Sequence, residues 1–181
     1  MTKDKNYFEK EIFSSNKHKF TFSYDDDLLN QILKYKQKGK VLDLGCGEGG
    51  LSLELAKRGF DVTCVDISST AINNVKQEAQ IQRIQINTIC EDLESFEIKE
   101  TYEVILCLGV LHFLKQDLAE KLVKTMQIKT NKTGLNILDV LTGKEFFKEK
   151  QIKEVYKNWE IKDFETHKEN FGKMDYLVVI K

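Results

Sequence analysis

Val41-Leu42-Asp43-Leu44-Gly45-Cys46-Gly47-Glu48-Gly49 is the stretch that decides the fold. An apolar run ends at an acid, three glycines follow at alternate positions, and Gly50 to Arg58 then carries Leu51 and Leu55 at helical spacing. Strand, glycine turn and helix in that order is the unit with which a parallel α/β sheet builds a nucleotide site. Glycine lets backbone N–H groups approach a ligand that a Cβ would hold off.

On both sides of this stretch the same alternation repeats. Asp25, Asp26 and Asp27 can cap a helix carrying Leu28, Leu29, Ile32 and Leu33, which Gly39 closes. Lys40 to Leu44 is the first strand. Gly59 closes the helix after the glycine turn, and Asp61 to Val65 is the second strand. Ser68 or Ser69 caps a helix with Ile72, Val75 and Ala79 on one face. Strands are expected at Ile84 to Cys90, Val104 to Leu108 and Leu135 to Leu141, with a helix through Leu118, Leu122, Val123 and Met126 and another from about Phe146 to Lys157. The continuously apolar 104–108 run suits a strand covered on both faces. Trp159 to His167 and Tyr176 to Ile180 then read as two strands whose link is too short for a crossover helix, so they should pair antiparallel.

The chain has 181 residues, 41% hydrophobic and 31% charged, enough for one domain with a sizeable core. The net charge of −1 argues against a nucleic-acid partner held by bulk electrostatics. No apolar run reaches the roughly 20 residues of a membrane helix, and the first residues lack a signal-peptide core, so a cytoplasmic protein without a membrane partner is expected. Cys46, Cys64, Cys90 and Cys107 form no CxxC pair and are expected to be buried free thiols. With only His18, His112 and His167 to join them, no metal site is expected.

Asp43 sets the glycine turn apart. A carboxylate two residues before the first glycine attracts a cationic or hydroxyl-rich ligand and repels a pyrophosphate. S-adenosyl-L-methionine, with a sulfonium and an ammonium, suits this turn better than a dinucleotide, although Gly45 to Gly50 also matches G-x-G-x-x-G. Acids recur where strands meet loops, at Asp66 and Asp92. Asp66 lies 21 positions after Gly45, the spacing at which an acid holds both ribose hydroxyls. Asp92 is placed to accept from an exocyclic amine. The simpler readings are a helix cap for Asp66 and a solvated turn acid for Asp92.

Taken together, Asp43-Leu44-Gly45-Cys46-Gly47-Glu48-Gly49, Asp66 and Asp92 resemble the class I S-adenosylmethionine-dependent methyltransferases, over roughly Lys40 to Lys181. That resemblance implies a single Rossmann-like α/β domain. Its sheet has seven strands, mostly parallel with an antiparallel last strand, and helices on both faces. It also implies roles: Gly45, Cys46, Gly47 and Gly49 contact the methionine part of the cofactor, and Asp43 holds its ammonium. Asp66 binds the ribose and Asp92 the adenine amine, Ile67 and Leu93 pack on the ring faces, and Leu108 offers a backbone carbonyl to the ammonium.

A narrower likeness is carried by Gly39 to Gly49, Leu55-Ala56-Lys57-Arg58-Gly59-Phe60-Asp61-Val62-Thr63, Asn6-Tyr7-Phe8 and Tyr156-Lys157-Asn158-Trp159-Glu160. These resemble the tellurite-resistance (TehB-type) methyltransferases, which use a histidine and arginines on the closing strands. His167 and Lys168 fall near that pair and Lys173 near a further basic position, with lysine giving up the bidentate fork of arginine. The resemblance implies a small-molecule acceptor, a tellurite- or selenite-type oxyanion or another soft nucleophile. His112, just past the 104–108 strand, is the available base if the nucleophile is oxygen. The alternative is a non-catalytic S-adenosylmethionine-binding subunit of a larger methyltransferase complex. Residues 1–38 are read as an N-terminal helical lid or cap and 39–181 as the methyltransferase domain.

Overall fold

The computed structural model describes residues 5–12, 26–142, 149–169 and 172–181, and at His167, Lys168 and Lys173 it describes the backbone alone. His18 and Asp25 lie outside the described residues. The elements run α1 (Lys5–Tyr7), continuing as a π turn at Phe8–Ile12, then α2 (Asp26–Tyr35), β1 (Lys40–Leu44), α3 (Gly50–Lys57), β2 (Asp61–Asp66), α4 (Ser69–Gln82) and β3 (Asn87–Cys90). They continue as β4 (Tyr102–Cys107), a 3₁₀ turn at Leu111–Phe113, α5 (Gln116–Lys129), β5 (Thr130–Thr142), α6 (Glu149–Val155), β6 (Glu160–Glu169) and β7 (Gly172–Ile180). Seven strands form a sheet of order β3-β2-β1-β4-β5-β7-β6. Only β7 runs antiparallel among the pairings described, against both β5 and β6, as the closing-hairpin reading expects. Contacts within the chain group into two compact units, Lys3–Glu97 and Ile98–Lys181.

In the first unit β2 lies between β1 and β3, all parallel. Val41, Leu42, Leu44, Val62, Cys64 and Val65 are fully buried, so β1 and β2 bury successive side chains, as strands covered on both faces do. Leu55 of α3 and Ile72 and Val75 of α4 complete this core. Each such side chain contributes about 1.5–3 kcal/mol on burial. Ser68, of the two expected caps, is the N-cap of α4, its hydroxyl accepting from Ala71 N–H at 3.1 Å. Two boundaries differ from expectation. Helix α2 stops at Tyr35, before Gly39. Strand β3 begins at Asn87 and not Ile84, because α4 ends on Arg83 in the left-handed region (φ 57°) and Ala79 carbonyl captures Ile84 N–H at 2.8 Å.

In the second unit β4 pairs parallel with β5, β5 antiparallel with β7, and β7 with β6. Strand β5 begins at Thr130, earlier than the apolar pattern shows, with an irregularity in its pairing to β4 between Tyr102 and Val104. A buried polar chain ties its start to α5 and to the segment after α6. Thr130 hydroxyl donates to Met126 carbonyl (2.6 Å), Asn136 amide donates to Thr130 Oγ1 (2.6 Å), and Tyr156 hydroxyl donates to Asn136 Oδ1 (3.0 Å). Tyr156 is fully buried, with Trp159 edge-on at 5.2 Å. Both belong to the 156–160 stretch singled out above.

The cysteines are free, but not all are buried. Cys64 and Cys107 are buried, Cys46 is half-buried, and Cys90 is exposed at the end of the edge strand β3. Among the described residues no His/Cys/Asp/Glu cluster has the arrangement of a metal site, and no helix is long and apolar enough to cross a membrane.

Candidate functional site

The turn after β1 is shaped by its glycines and held by β2. Gly45, Gly47 and Gly49 all have positive φ (76°, 53° and 69°). Gly45 and Cys46 N–H groups both donate to Val65 carbonyl, at 2.7 and 3.1 Å, and Gly49 N–H donates to Cys46 carbonyl at 2.9 Å. At Gly49 a Cβ would lie 2.7 Å from Val75 Cγ2, so only glycine lets this turn sit down on α4.

Three acids of this unit stand at strand ends. Asp43 is 7% exposed, and Ser52 hydroxyl of α3 donates to its Oδ2 at 2.7 Å. Asp66 is equally buried and holds two backbone amides: Gly47 N–H to Oδ2 at 2.9 Å, and Ser68 N–H to Oδ1 at 2.8 Å. A carboxylate has about four lone-pair sites, so with the Ile67 amide also facing it Asp66 keeps acceptor capacity for a ligand hydroxyl. Asp66 thus clamps the glycine turn to the start of α4, joining the cap reading and the ligand reading in one side chain. Asp92 is half-buried and accepts Glu94 N–H at Oδ1 (2.9 Å), while its carbonyl takes Ser95 and Phe96 N–H groups. Ile67, whose carbonyl receives the Cys90 thiol at 3.7 Å, and Leu93 flank these acids in the chain, both half-buried.

Burial raises the Asp43 carboxyl to about 6, against the Ser52 hydrogen bond and with the Asp66 charge adding to it. Burial likewise pushes Asp66 up, opposed by the Ser68 and Gly47 amides. The Cys46 thiol is pushed well up, first by its hydrogen bond with Cys64 and then by burial, so it stays protonated. Two buried carboxylates beside one glycine turn are a costly arrangement that a cation and a diol would relieve.

In the second unit Gly109 follows β4 with φ 69°, and its N–H donates to Asp139 Oδ1 at 2.7 Å. The Leu108–Gly109 peptide is trans and planar, so Leu108 carbonyl points away from Asp139. Burial raises the Asp139 carboxyl to about 6, with the Gly109 amide opposing. His112 lies in the 3₁₀ turn beside Phe113, with ring centroids 4.1 Å apart. Its Nδ1 is buried with no hydrogen-bond partner, and burial lowers its pKa to about 4, so it is neutral at physiological pH. Position 167 pairs with Met174 and position 168 with Lys173. The one irregularity of this pairing lies at Ile161/Asp163, so 167 and 168 occupy opposite faces of the strand.

Asp139, Ser52 and Glu9 join the site only in the folded chain. Asp139 carried a signal, as an acid inside the apolar run 135–141. Glu9 carried none: its carboxylate accepts from Ser69 and Thr70, 60 and 61 positions away.

The fold and the strand-tip acids define the class: an α/β domain of the Rossmann-like kind found in methyltransferases. The crystal structure of magnesium protoporphyrin IX methyltransferase (ChlM) from Synechocystis PCC 6803 with bound SAM shares this fold, with a TM-score of 0.76 at 20% identity over 98% of this chain and 94% of that one. More narrowly, residues 1–177 match the family of the tellurite resistance protein TehB, and the chain belongs to that family. The probable S-adenosyl-L-methionine-dependent methyltransferase TehB of Haemophilus influenzae (strain 10810) is 33% identical over 178 residues, covering 93% of this chain and 60% of the relative. The crystal structure of TehB from Haemophilus influenzae superposes with a TM-score of 0.77 at 26% identity, covering 98% of this chain and 66% of that one. This chain therefore spans about three-fifths of the length of that curated relative.

Proposed function

We propose that this protein is an S-adenosyl-L-methionine-dependent methyltransferase acting on a small acceptor, with a tellurite- or selenite-type oxyanion as the leading candidate. The observation that carries this reading is the pair of buried acids, Asp43 and Asp66, at the rim of a glycine turn too tight for a Cβ at Gly49. These residues fit the cofactor's chemistry, since a buried carboxyl raised to about 6 gains by meeting a cation. Asp43 would hold the ammonium and Asp66 the ribose hydroxyls. Gly45, Cys46, Gly47 and Gly49 would line the methionine part, Ile67 and Leu93 the ring faces, Asp92 would take the adenine amine, and Leu108 carbonyl would accept from the ammonium.

When bound, the cofactor would supply an activated sulfonium methyl group for transfer to the acceptor's lone pair, with S-adenosylhomocysteine as the leaving group. The chain's work is then to orient the acceptor and exclude water. His112 is neutral but weakly basic, which suits a nucleophile already deprotonated, such as a tellurium or selenium oxyanion, better than a hydroxyl. His167 and Lys168 are the proposed contacts to the anionic acceptor, and since the two positions alternate in face, both can reach it only from the hairpin end of β6, two residues and one residue before Glu169. Positions 1–38 would cover the site and 39–181 carry it.

The test is S-adenosylhomocysteine formation by the purified chain, wild type and His167→Ala, with tellurite, selenite, a thiol and a hydroxyl acceptor. Turnover of the oxyanions that falls at least tenfold in the variant supports the assignment. Equal turnover in both proteins removes His167, turnover of only the thiol or hydroxyl removes the oxyanion, and no turnover of any acceptor leaves the binding-subunit reading in its place.

A further inference from the structure

Glu9 is an acid of the N-terminal segment recruited to the start of a helix far away in sequence. Its Oε1 accepts Ser69 N–H at 2.6 Å, Ser69 hydroxyl at 2.8 Å and Thr70 N–H at 3.4 Å, and its Oε2 accepts Thr70 hydroxyl. Ser69 and Thr70 are the first two residues of α4, whose N–H groups have no partner within the helix. Ser68 already caps this helix through Ala71, so the Glu9 carboxylate satisfies the donors Ser68 leaves over and adds a charge at the positive end of the dipole. Burial opposes the charge, but the Thr70 and Ser69 bonds outweigh it and hold Glu9 at about 2. The carboxylate therefore stays charged throughout the physiological range.

What Glu9 grips is the turn that carries Asp66. Ser68 N–H donates to Asp66 Oδ1, and Asp66 Oδ2 holds Gly47. The chain of bonds runs from Glu9 through Ser69 and Ser68 to Asp66 and the glycine turn. Glu9 also acts on Asp66 directly, its charge adding to the upward push on that carboxyl. A more basic carboxylate is a stronger acceptor for the hydroxyls of a diol.

We propose that Glu9 is a positioning residue for the cofactor: by clamping residues 5–12 onto the first turn of α4 it sets the Asp66–Ser68 turn for ribose, and ligand binding in return secures the clamp. This rests on the reading that Asp66 holds the cofactor ribose. Linkage makes the effect reciprocal, because a ligand that favours the clamped state must tighten the clamp by the factor the clamp tightens the ligand.

The experiment compares wild type, Glu9→Gln and Glu9→Ala, all full chain, with S-adenosylhomocysteine as the probe. Calorimetry measures Kd, and hydrogen exchange of residues 5–12 and 66–72 is followed with and without the probe. Glu9→Ala should weaken binding about tenfold, the scale of losing a helix cap. Glu9→Gln, which keeps one acceptor oxygen, should recover most of that loss. In wild type the probe should slow exchange in 5–12, and in Glu9→Ala it should not. A Glu9→Ala protein with fast exchange in 5–12 and unchanged Kd would overturn the proposal, as would a wild type whose 5–12 exchange ignores the probe. Should Glu9→Ala fold poorly, Thr70→Val removes one of the four donors and should weaken binding by a smaller factor, and no change there would count against the clamp. Wild type that binds no S-adenosylhomocysteine at all would sink the cofactor reading itself, a result distinct from bound probe with an indifferent clamp.

Discussion

At the scale of single residues, Asp43 shows a conflict between stability and binding. Its carboxyl is raised from its ordinary value of 3.8 to about 6, so between those values the folded state binds more protons than the unfolded chain. Its contribution to stability is therefore largest at low pH and is lost as pH rises through about 6. A cationic ligand has the opposite demand, since it needs the carboxylate charged. Asp43→Asn, which can still accept from Ser52, should stabilise the ligand-free protein at pH 7 by on the order of 1–2 kcal/mol. The same change should weaken S-adenosylmethionine binding at least tenfold and flatten the part of its pH dependence centred near 6. Denaturant titration and calorimetry across pH 5–8 check both. A variant less stable than wild type with unaltered affinity would contradict the assignment. Asp139→Ala frees the Gly109 amide and with it the orientation of Leu108 carbonyl. It should weaken S-adenosylhomocysteine and leave 5′-methylthioadenosine, which lacks the ammonium, unchanged in calorimetry. Equal losses for both ligands would exclude that role.

At the scale of elements, the packing of the glycine turn on α4 and the anchoring of β5 are separable. Gly49→Ala sets a Cβ 2.7 Å from Val75 Cγ2 at a φ of 69°, and should cost about 1–3 kcal/mol of stability. Adding Val75→Ala should recover part of that loss, so the two changes should cost less together than their sum; strict additivity in chemical denaturation would show that the contact does not limit the turn. Tyr156→Phe leaves Asn136 Oδ1 without its buried donor and should cost about 1–2 kcal/mol while S-adenosylhomocysteine affinity stays unchanged. The element pattern itself was readable from residues. The 41–49 stretch stands where periodicity places it, Ser68 is the cap of the two serines offered, and the closing hairpin forms as expected, although β7 starts at Gly172 and not at Tyr176. The misses have local causes: Ile84 is claimed by the α4 cap, and β5 starts at Thr130 because Thr130 pairs with Tyr102 of β4 and Thr133 and Gly134 bond through the backbone to Lys181, ahead of the apolar run. Asp43 and Asp66 were legible because strand periodicity puts them at strand ends. Glu9 was not, because only the folded chain brings it to Ser69.

At the scale of the whole molecule, 28 basic and 29 acidic residues leave a net charge of −1, so no general field draws in nucleic acid. Duplex DNA should show no specific binding at physiological salt, and a steep salt slope in a titration, the mark of several phosphate contacts, would contradict this. A glycine turn ringed by Asp43 and Asp66 should take a sulfonium nucleoside and reject a pyrophosphate. Calorimetric titration of the full chain with S-adenosylhomocysteine and, separately, with NAD tests it most directly. S-adenosylhomocysteine should bind saturably and one to one, weakened by about 1–3 kcal/mol in Asp66→Ala, and NAD should give no heat. Saturable NAD binding with no response to S-adenosylhomocysteine would contradict it.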